Sequence, residues 1–292
     1  MLVKLNYQDA QAVADTMGGE LISYRDGSGT EYLWNGDDRY WSGRSPHLFP
    51  IIGTLKGGKT CIQGKEYSLL KHGFARNGEF DIYDTGEHFI TFVLRDSAET
   101  RQVYPFRFSF YVTHTLVPGG FTTSYKLVNE GEEELYFNIG GHVGVQCPVF
   151  KQEVFEDYEI VFDRPLTVRA CFPPNDDPII SEWYEELLVG EDTLSLSYDL
   201  FEKGPLIIDQ IASHSLMLKN KHSGRGICFW YDGFPVLALW TFGRKKAPYL
   251  CLEPWHGLPA MEEDGPLFSE KPYIISLQPH AEKCLQYQVK IL

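Results

Sequence analysis

The sequence has no Cys-x-x-Cys pair, no Asn-x-Ser/Thr sequon, no apolar run approaching membrane-spanning length and little helical periodicity. Basic residues are scarce beside acidic ones: 26 Lys and Arg against 40 Asp and Glu, a formal net charge of −14. Each shortage excludes something. Without paired cysteines, zinc-ribbon and thioredoxin-type chemistry have no ligand set. The six cysteines (Cys61, Cys147, Cys171, Cys228, Cys251 and Cys284) read as buried free thiols, as Cys228 in "GICFWY" and Cys251 in "YLCLEP" illustrate. The acidic balance argues against nucleic acid or an anionic membrane as partner. It does not forbid a small anionic substrate, because a local pair of arginines can overrule the mean field. The start, "MLVKLNYQDA", has no apolar h-region, so no signal peptide is expected. A cytoplasmic location is the expectation that follows.

What is present is a period of two. In "FRFSFYVTHTL" the apolar residues fall at Phe106, Phe108, Phe110, Val112 and Leu116, and "VPGG" then makes a turn. "FTTSYKLV" follows with Phe121, Tyr125 and Leu127 on one face, a hairpin signature. "LYFNIG" alternates through Leu135, Phe137 and Ile139, and the last strand through Leu285, Tyr287, Val289 and Ile291. Two short helical segments are predicted. One covers Asp96 to Tyr104, capped by Asp96 or Ser97; the other lies in "ISEWYEELLVG", residues 180 to 190, ended by Gly190. No linker, repeat or low-complexity tract interrupts the chain. The expected architecture is all-β, one domain over residues 1–292, built as a large antiparallel β-sandwich.

Four stretches carry candidate chemistry. "YWSGRSPHLFPIIG" (residues 40–53) holds Trp41 and Arg44; "KHGFARNGEF" (71–80) holds His72 and Arg76. "FNIGGHVGVQCP" (137–148) places His142 after two glycines, and "YLCLEPWHGLP" (249–259) places Glu253 beside Trp255 and His256. Taken singly, each has a structural explanation. A histidine at a strand end is usually a satisfied structural group, Arg76 has nearby acids such as Glu79 and Asp81, and Trp41 and Trp255 read equally as core. Glu253 is harder to explain that way, since burying a carboxylate without partners is costly.

In order, Arg, then H-G-F-A-R, then G-G-H, then L-E-P-W, the four stretches resemble the aldose 1-epimerases, the galactose mutarotase-like proteins, and within them the bacterial branch related to LacX. The resemblance runs over nearly the whole chain. It implies the large antiparallel sandwich of that family and a free aldohexose as substrate, with no metal and no cofactor. It puts the general base on Glu253, the general acid on His142, a second histidine on His72 and an arginine on Arg44. The family's sugar-binding aspartate falls nearest to Asp209 in "PLIIDQI", with Gly204-Pro205 as the alternative position. Such a reaction needs one base for the anomeric hydroxyl and one acid for the ring oxygen. On this reading His142 is protonated and Glu253 ionised. His72 and Arg44 bind sugar oxygens, and Trp41 and Trp255 offer flat apolar faces to its C–H side.

Three other readings stay open. Arg44 and Arg76 would form a phosphate clamp in a hexose 6-phosphate mutarotase. A non-catalytic sugar-binding or sensing protein would share the fold. A glycosidase would need a second carboxylate at about 5–9.5 Å from Glu253. A metal site is not expected, because His72, His142 and His256 lie in separate segments without paired-histidine spacing. The sequence leaves monomer and homodimer open.

Overall fold

A computed structural model describes residues 1–171, 179–180 and 185–292. Its main sheet has 15 strands, paired antiparallel throughout. Six of them carry the site and are numbered in chain order: β1 (His47–Leu48), β2 (Ile139–Gly141), β3 (Val143–Gln146), β4 (Leu206–Asp209), β5 (Val236–Trp240) and β6 (Tyr249–His256). The sheet order begins β1-β2-β6-β5-β4, with β3 also paired to β6. It then runs through Tyr158–Cys171 and, farther along, Glu282–Ile291, Gly120–Asn129 and Phe108–Val117 to the edge strand Asp81–Thr85. A separate three-stranded sheet is formed by Leu2–Tyr7, Ala10–Asp15 and Glu20–Arg25.

The alternation read in the sequence is the reason for these strands. Phe108, Phe110, Val112 and Leu116 are buried, as are Phe121, Tyr125 and Leu127 on the facing strand. Each such side chain stabilises the fold by roughly 1.5–3 kcal/mol through the apolar area it removes from water. The result is the all-β antiparallel sandwich that the sequence predicts. The sheet folds back on itself so that its β1–β2 end packs against the interior strands Gly120–Asn129 and Glu282–Ile291. His47 of β1 bonds Tyr125, and a Cβ at Gly141 of β2 would lie 2.8 Å from the Tyr287 ring. The main buried cluster runs from Leu5 to Val289.

Two local expectations change. The segment from Glu185 to Ser195 is a strand, not a helix; residues 181–184 of the expected helix lie outside the described residues. Pairing with Tyr158–Cys171 overrides the local pattern. Thr167 faces Val189 and Leu166 faces Glu191, which leaves Gly190 as the extra residue of a bulge at φ 71°. The other helix shrinks to one turn, Thr100–Val103, where Ser97 Oγ accepts the N–H groups of Glu99 and Thr100. The cysteines are free, but only Cys147, Cys171 and Cys251 are buried; Cys61 and Cys228 are half-buried and Cys284 is exposed.

Candidate active site

Alternation along β6 puts Tyr249, Cys251, Glu253 and Trp255 on one face. β5 sets Ala238 opposite Glu253 and Trp240 opposite Cys251. On the other edge of β6, β2 sets Gly140 opposite Trp255 and β3 sets Val143 opposite Leu252. His142 stands at the break between β2 and β3, level with Glu253. The approach depends on Gly140, where a Cβ would come within 2.6 Å of Trp255 and 2.9 Å of the Pro254 carbonyl.

The His72 loop is held by a different device. His72 has φ 65°, a left-handed conformation that strains a non-glycine residue. Two bonds to Gly53 keep it there. The His72 N–H donates to the Gly53 carbonyl at 2.7 Å, and the Gly53 N–H donates to His72 Nδ1 at 3.0 Å. The second bond assigns the ring proton to Nε2. Gly73 follows at φ 74°, where a Cβ would lie 2.2 Å from the Phe49 carbonyl oxygen.

These segments enclose a cavity of about 290 Å³. Six of the eight residues expected from the sequence line it: Trp41, His72, Arg76, His142, Glu253 and Trp255. Arg44 and Asp209 do not. The Arg44 Nε donates to the Asn35 carbonyl at 3.0 Å, and Asp209 accepts a hydrogen bond from the Tyr273 hydroxyl. Pro205 and Ile207 line the wall where Asp209 was expected, and Lys71 and Trp240 complete the polar and aromatic lining. Sequence reading missed both of the latter. Lys71 was adjacent to the quoted histidine, whereas nothing in "VLALWTF" marked Trp240. Trp41 does more than offer a face to a ligand. It stacks on the His142 ring at 4.7 Å and 28°, while Trp240 meets both rings edge-on.

At the centre, His142 Nε2 lies 3.2 Å from Glu253 Oε2. The contact is not a hydrogen bond: Glu253 Oε2, His142 Nδ1 and Trp255 Nε1 are buried without hydrogen-bond partners. Buried polar atoms are nearly always paired, so a cluster of orphans marks a place for a ligand. Burial pushes the Glu253 carboxyl well above the usual carboxylate range; the positive charges of Lys71 and Arg76 and the nearby Trp255 indole oppose that rise. Burial, with Arg76 and Lys71, holds His142 well below the usual imidazole range. These surroundings keep His142 neutral, the reverse of the charged state expected from the sequence. His72 is held neutral by burial and by His142, Lys71 and Arg76.

Among the described residues neither Lys71 nor Arg76 has a carboxylate within ion-pair distance, although the buried Glu20 feels the charge of Arg76 and Glu253 that of both. Glu79 and Asp81, the acids expected to neutralise Arg76, are engaged by Thr16 and Arg95. Lys71 sits at the open rim, where its surroundings lower its pKa through burial while Glu253 opposes that change. Among the described residues Glu253 is the only carboxylate lining the cavity, so the second acid of a glycosidase is not found among them. No described helix is long and apolar enough to cross a membrane.

Comparison with known proteins supplies the family. The aldose 1-epimerase family profile matches residues 1–266. Protein LacX of Lactococcus lactis subsp. lactis, in its plasmid form, is 31% identical over 302 residues, covering 100% of both chains. A galactose mutarotase related enzyme from Lactobacillus acidophilus superposes with a TM-score of 0.92 at 28% identity, over 100% of this chain and 97% of that one. A galactose mutarotase-like protein from Lactobacillus casei gives 0.92 at 26% identity over the whole of both. The chain belongs to the aldose 1-epimerase family.

Proposed function

We propose that the protein interconverts the α and β anomers of an aldohexose, with Glu253 and His142 as its acid–base pair. The observation that carries this reading is the 3.2 Å approach of their side chains, both buried and incompletely bonded, in a cavity also lined by three tryptophans, His72, Lys71 and Arg76. Glu253 takes the proton of the anomeric hydroxyl, the C1–O5 bond breaks, and His142 protonates the departing ring oxygen. Rotation about C1–C2 and the reverse steps close the ring from the other face.

His142 needs a proton for its part. Burial favours the protonated Glu253 carboxyl and the neutral His142 ring. Sugar hydroxyls that hydrogen-bond the Glu253 carboxylate would favour its ionised form and shift the proton to the imidazole. The stacked Trp41 face favours the imidazolium too, by about 0.5–2 kcal/mol for a cation over an indole. His72, with its proton on Nε2, donates to a sugar oxygen. No second carboxylate or cofactor is required for these steps.

A second reading has its own observation. Lys71 and Arg76 line the same cavity with no carboxylate at ion-pair distance among the described residues, so an anionic sugar such as a hexose 6-phosphate would meet two cationic donors there. Arg44 takes no part in that clamp. Anomer interconversion measured on glucose, galactose and their 6-phosphates separates the two. A neutral-sugar enzyme accelerates the free hexoses at least as well. A kcat/KM favouring the phosphates, lost in Arg76→Ala while free glucose turnover survives, would reassign the substrate. No acceleration of any sugar by the wild type would leave only a binding function.

A further inference from the structure

Cys251 plays no part in the proton transfers, yet it stands beside them. It projects from the same face of β6 as Glu253, two residues away. The Cys251 sulfur, one ring nitrogen of His142 and one carboxylate oxygen of Glu253 all lie within 4.8 Å of one another, and all three residues are buried. Glu253 is only 2% exposed in its side chain, and its Oε2 has no hydrogen-bond partner.

We propose that His142, Cys251 and Glu253 form a three-donor site for a thiophilic divalent cation of the zinc class, and that its occupation shuts the sugar out. The donor set is one sulfur, one nitrogen and one oxygen. Zinc takes these at about 2.3, 2.0–2.1 and 2.0–2.2 Å, commonly with three protein ligands and one open position. Tetrahedral bonds of those lengths put neighbouring donors roughly 3.3–3.7 Å apart. The His142–Glu253 edge at 3.2 Å is already near that value, and the thiol has to move inward by about 1 Å. His142 and Glu253 line the cavity and Cys251 lies behind them, so the ion would enter, and keep its open position, on the cavity side.

Charge and softness point to the same kind of ion. A thiolate and a carboxylate buried together carry two negative charges, which a divalent cation balances; burial holds both groups protonated without it, so the Cys251 thiol proton and the Glu253 carboxyl proton both leave to water on binding. Thiolate with imidazole selects zinc over magnesium or calcium. Two features limit the affinity. His142 Nδ1 has no partner to orient the ring, a lack worth about 10–100-fold in metal affinity. Lys71 and Arg76 line the same cavity and repel a cation. The site is therefore a reversible one rather than a structural one. Histidine spacing in the sequence did not reveal it, because the donors converge from two strand segments. Occupancy consumes His142 Nε2 and the Glu253 oxygen that faces it, so the inhibitory consequence rests on the proposed acid–base pair, whereas the binding does not.

The test is cobalt titration followed by absorption. Wild type should bind one equivalent of Co²⁺ and show a sulfur-to-cobalt charge-transfer band, which Zn²⁺ displaces. Cys251→Ser should lose the band and bind Zn²⁺ at least about tenfold more weakly. Cys284→Ser, at an exposed position, should keep both. His142→Asn should weaken Zn²⁺ binding as well, which keeps the assignment testable if Cys251→Ser does not fold. Absence of the band in wild type, or its full persistence in a folded Cys251→Ser, overturns the site. In the mutarotation assay Zn²⁺ should inhibit wild type reversibly, competitively with sugar and less in Cys251→Ser. Binding without competition would retain the site and overturn its inhibitory role. Because the titration needs no turnover, its failure and a failure of the proposed activity are separate results.

Discussion

His47 and His114 stack with ring centroids 5.6 Å apart; His72 and His142 meet edge to face at 5.8 Å. All four are buried. The first pair is fully bonded. Both Nε2 atoms reach the Gly19 carbonyl, at 2.9 and 2.8 Å, and use its two lone pairs. The Nδ1 atoms then accept from the Tyr125 and Thr123 hydroxyls, at 2.9 and 3.0 Å. That network ties the N-terminal sheet to the main one. In the second pair, His142 Nδ1 has no partner and its Nε2 meets a carboxylate oxygen that is itself unbonded. The first pair spends all its ring nitrogens on the fold; in the second, His72 Nδ1 accepts from the Gly53 N–H while both nitrogens of His142 are left without a hydrogen bond. Burial alone therefore does not separate a structural histidine from a working one, whereas the accounting of its partners does.

The comparison is broken most severely by exchanging roles. His142→Asn should lower turnover by about 10²–10⁴-fold, the usual worth of a general acid or base, with little change in unfolding free energy. His114→Ala should do the opposite. It strands the Thr123 hydroxyl, removes a donor from the Gly19 carbonyl and opens a cavity, at a cost of about 2–4 kcal/mol. Urea unfolding and polarimetry on the two variants check both. Equal stability losses would erase the distinction between the pairs.

A smaller effect appears in pH. Burial pushes His47 down to about 3 and His114 down to about 4. An unfolded histidine titrates near ~6.5, so between these values the unfolded chain binds more protons. Their stabilisation is present above about pH 6.5 and is lost as pH falls, by up to ~3 kcal/mol each at pH 4. His72 and His142 add to that slope. Glu20 and Glu253, both raised by burial, act in the opposite sense: their stabilisation is present at low pH and lost as pH rises. Urea unfolding at pH 7 and pH 5 should show wild type losing more stability than His114→Ala over that interval. Identical slopes would show that His114 carries no such linkage.

Much of this was legible before any coordinates. Alternating Phe108, Phe110 and Val112 dictate a strand whatever its neighbours, and the four motifs in order brought six lining residues to notice. The rest depends on partners distant in sequence. Gly190 reads as a helix end until Tyr158–Cys171 pairs across it and makes it a bulge. Arg44 and Asp209 read as sugar ligands in the sequence, but they lie outside the cavity lining, with Arg44 Nε bonded to the Asn35 carbonyl and Asp209 to the Tyr273 hydroxyl. Trp240 enters the cavity only because β5 lies beside β6 in this register. The neutral state of His142 follows from burial and two cations from another loop, neither visible in "GGHVG".

The central claim is that Glu253 moves the anomeric proton. The direct measurement is polarimetric relaxation of freshly dissolved α-glucose, or of whichever sugar the wild type turns over best, by wild type and by Glu253→Gln at matched folded concentration. The amide keeps the shape of the carboxyl group and removes its proton acceptor. The account predicts a fall of at least ~10²-fold in kcat with sugar binding retained. A folded Glu253→Gln variant that relaxes the sugar at near wild-type rate would contradict it.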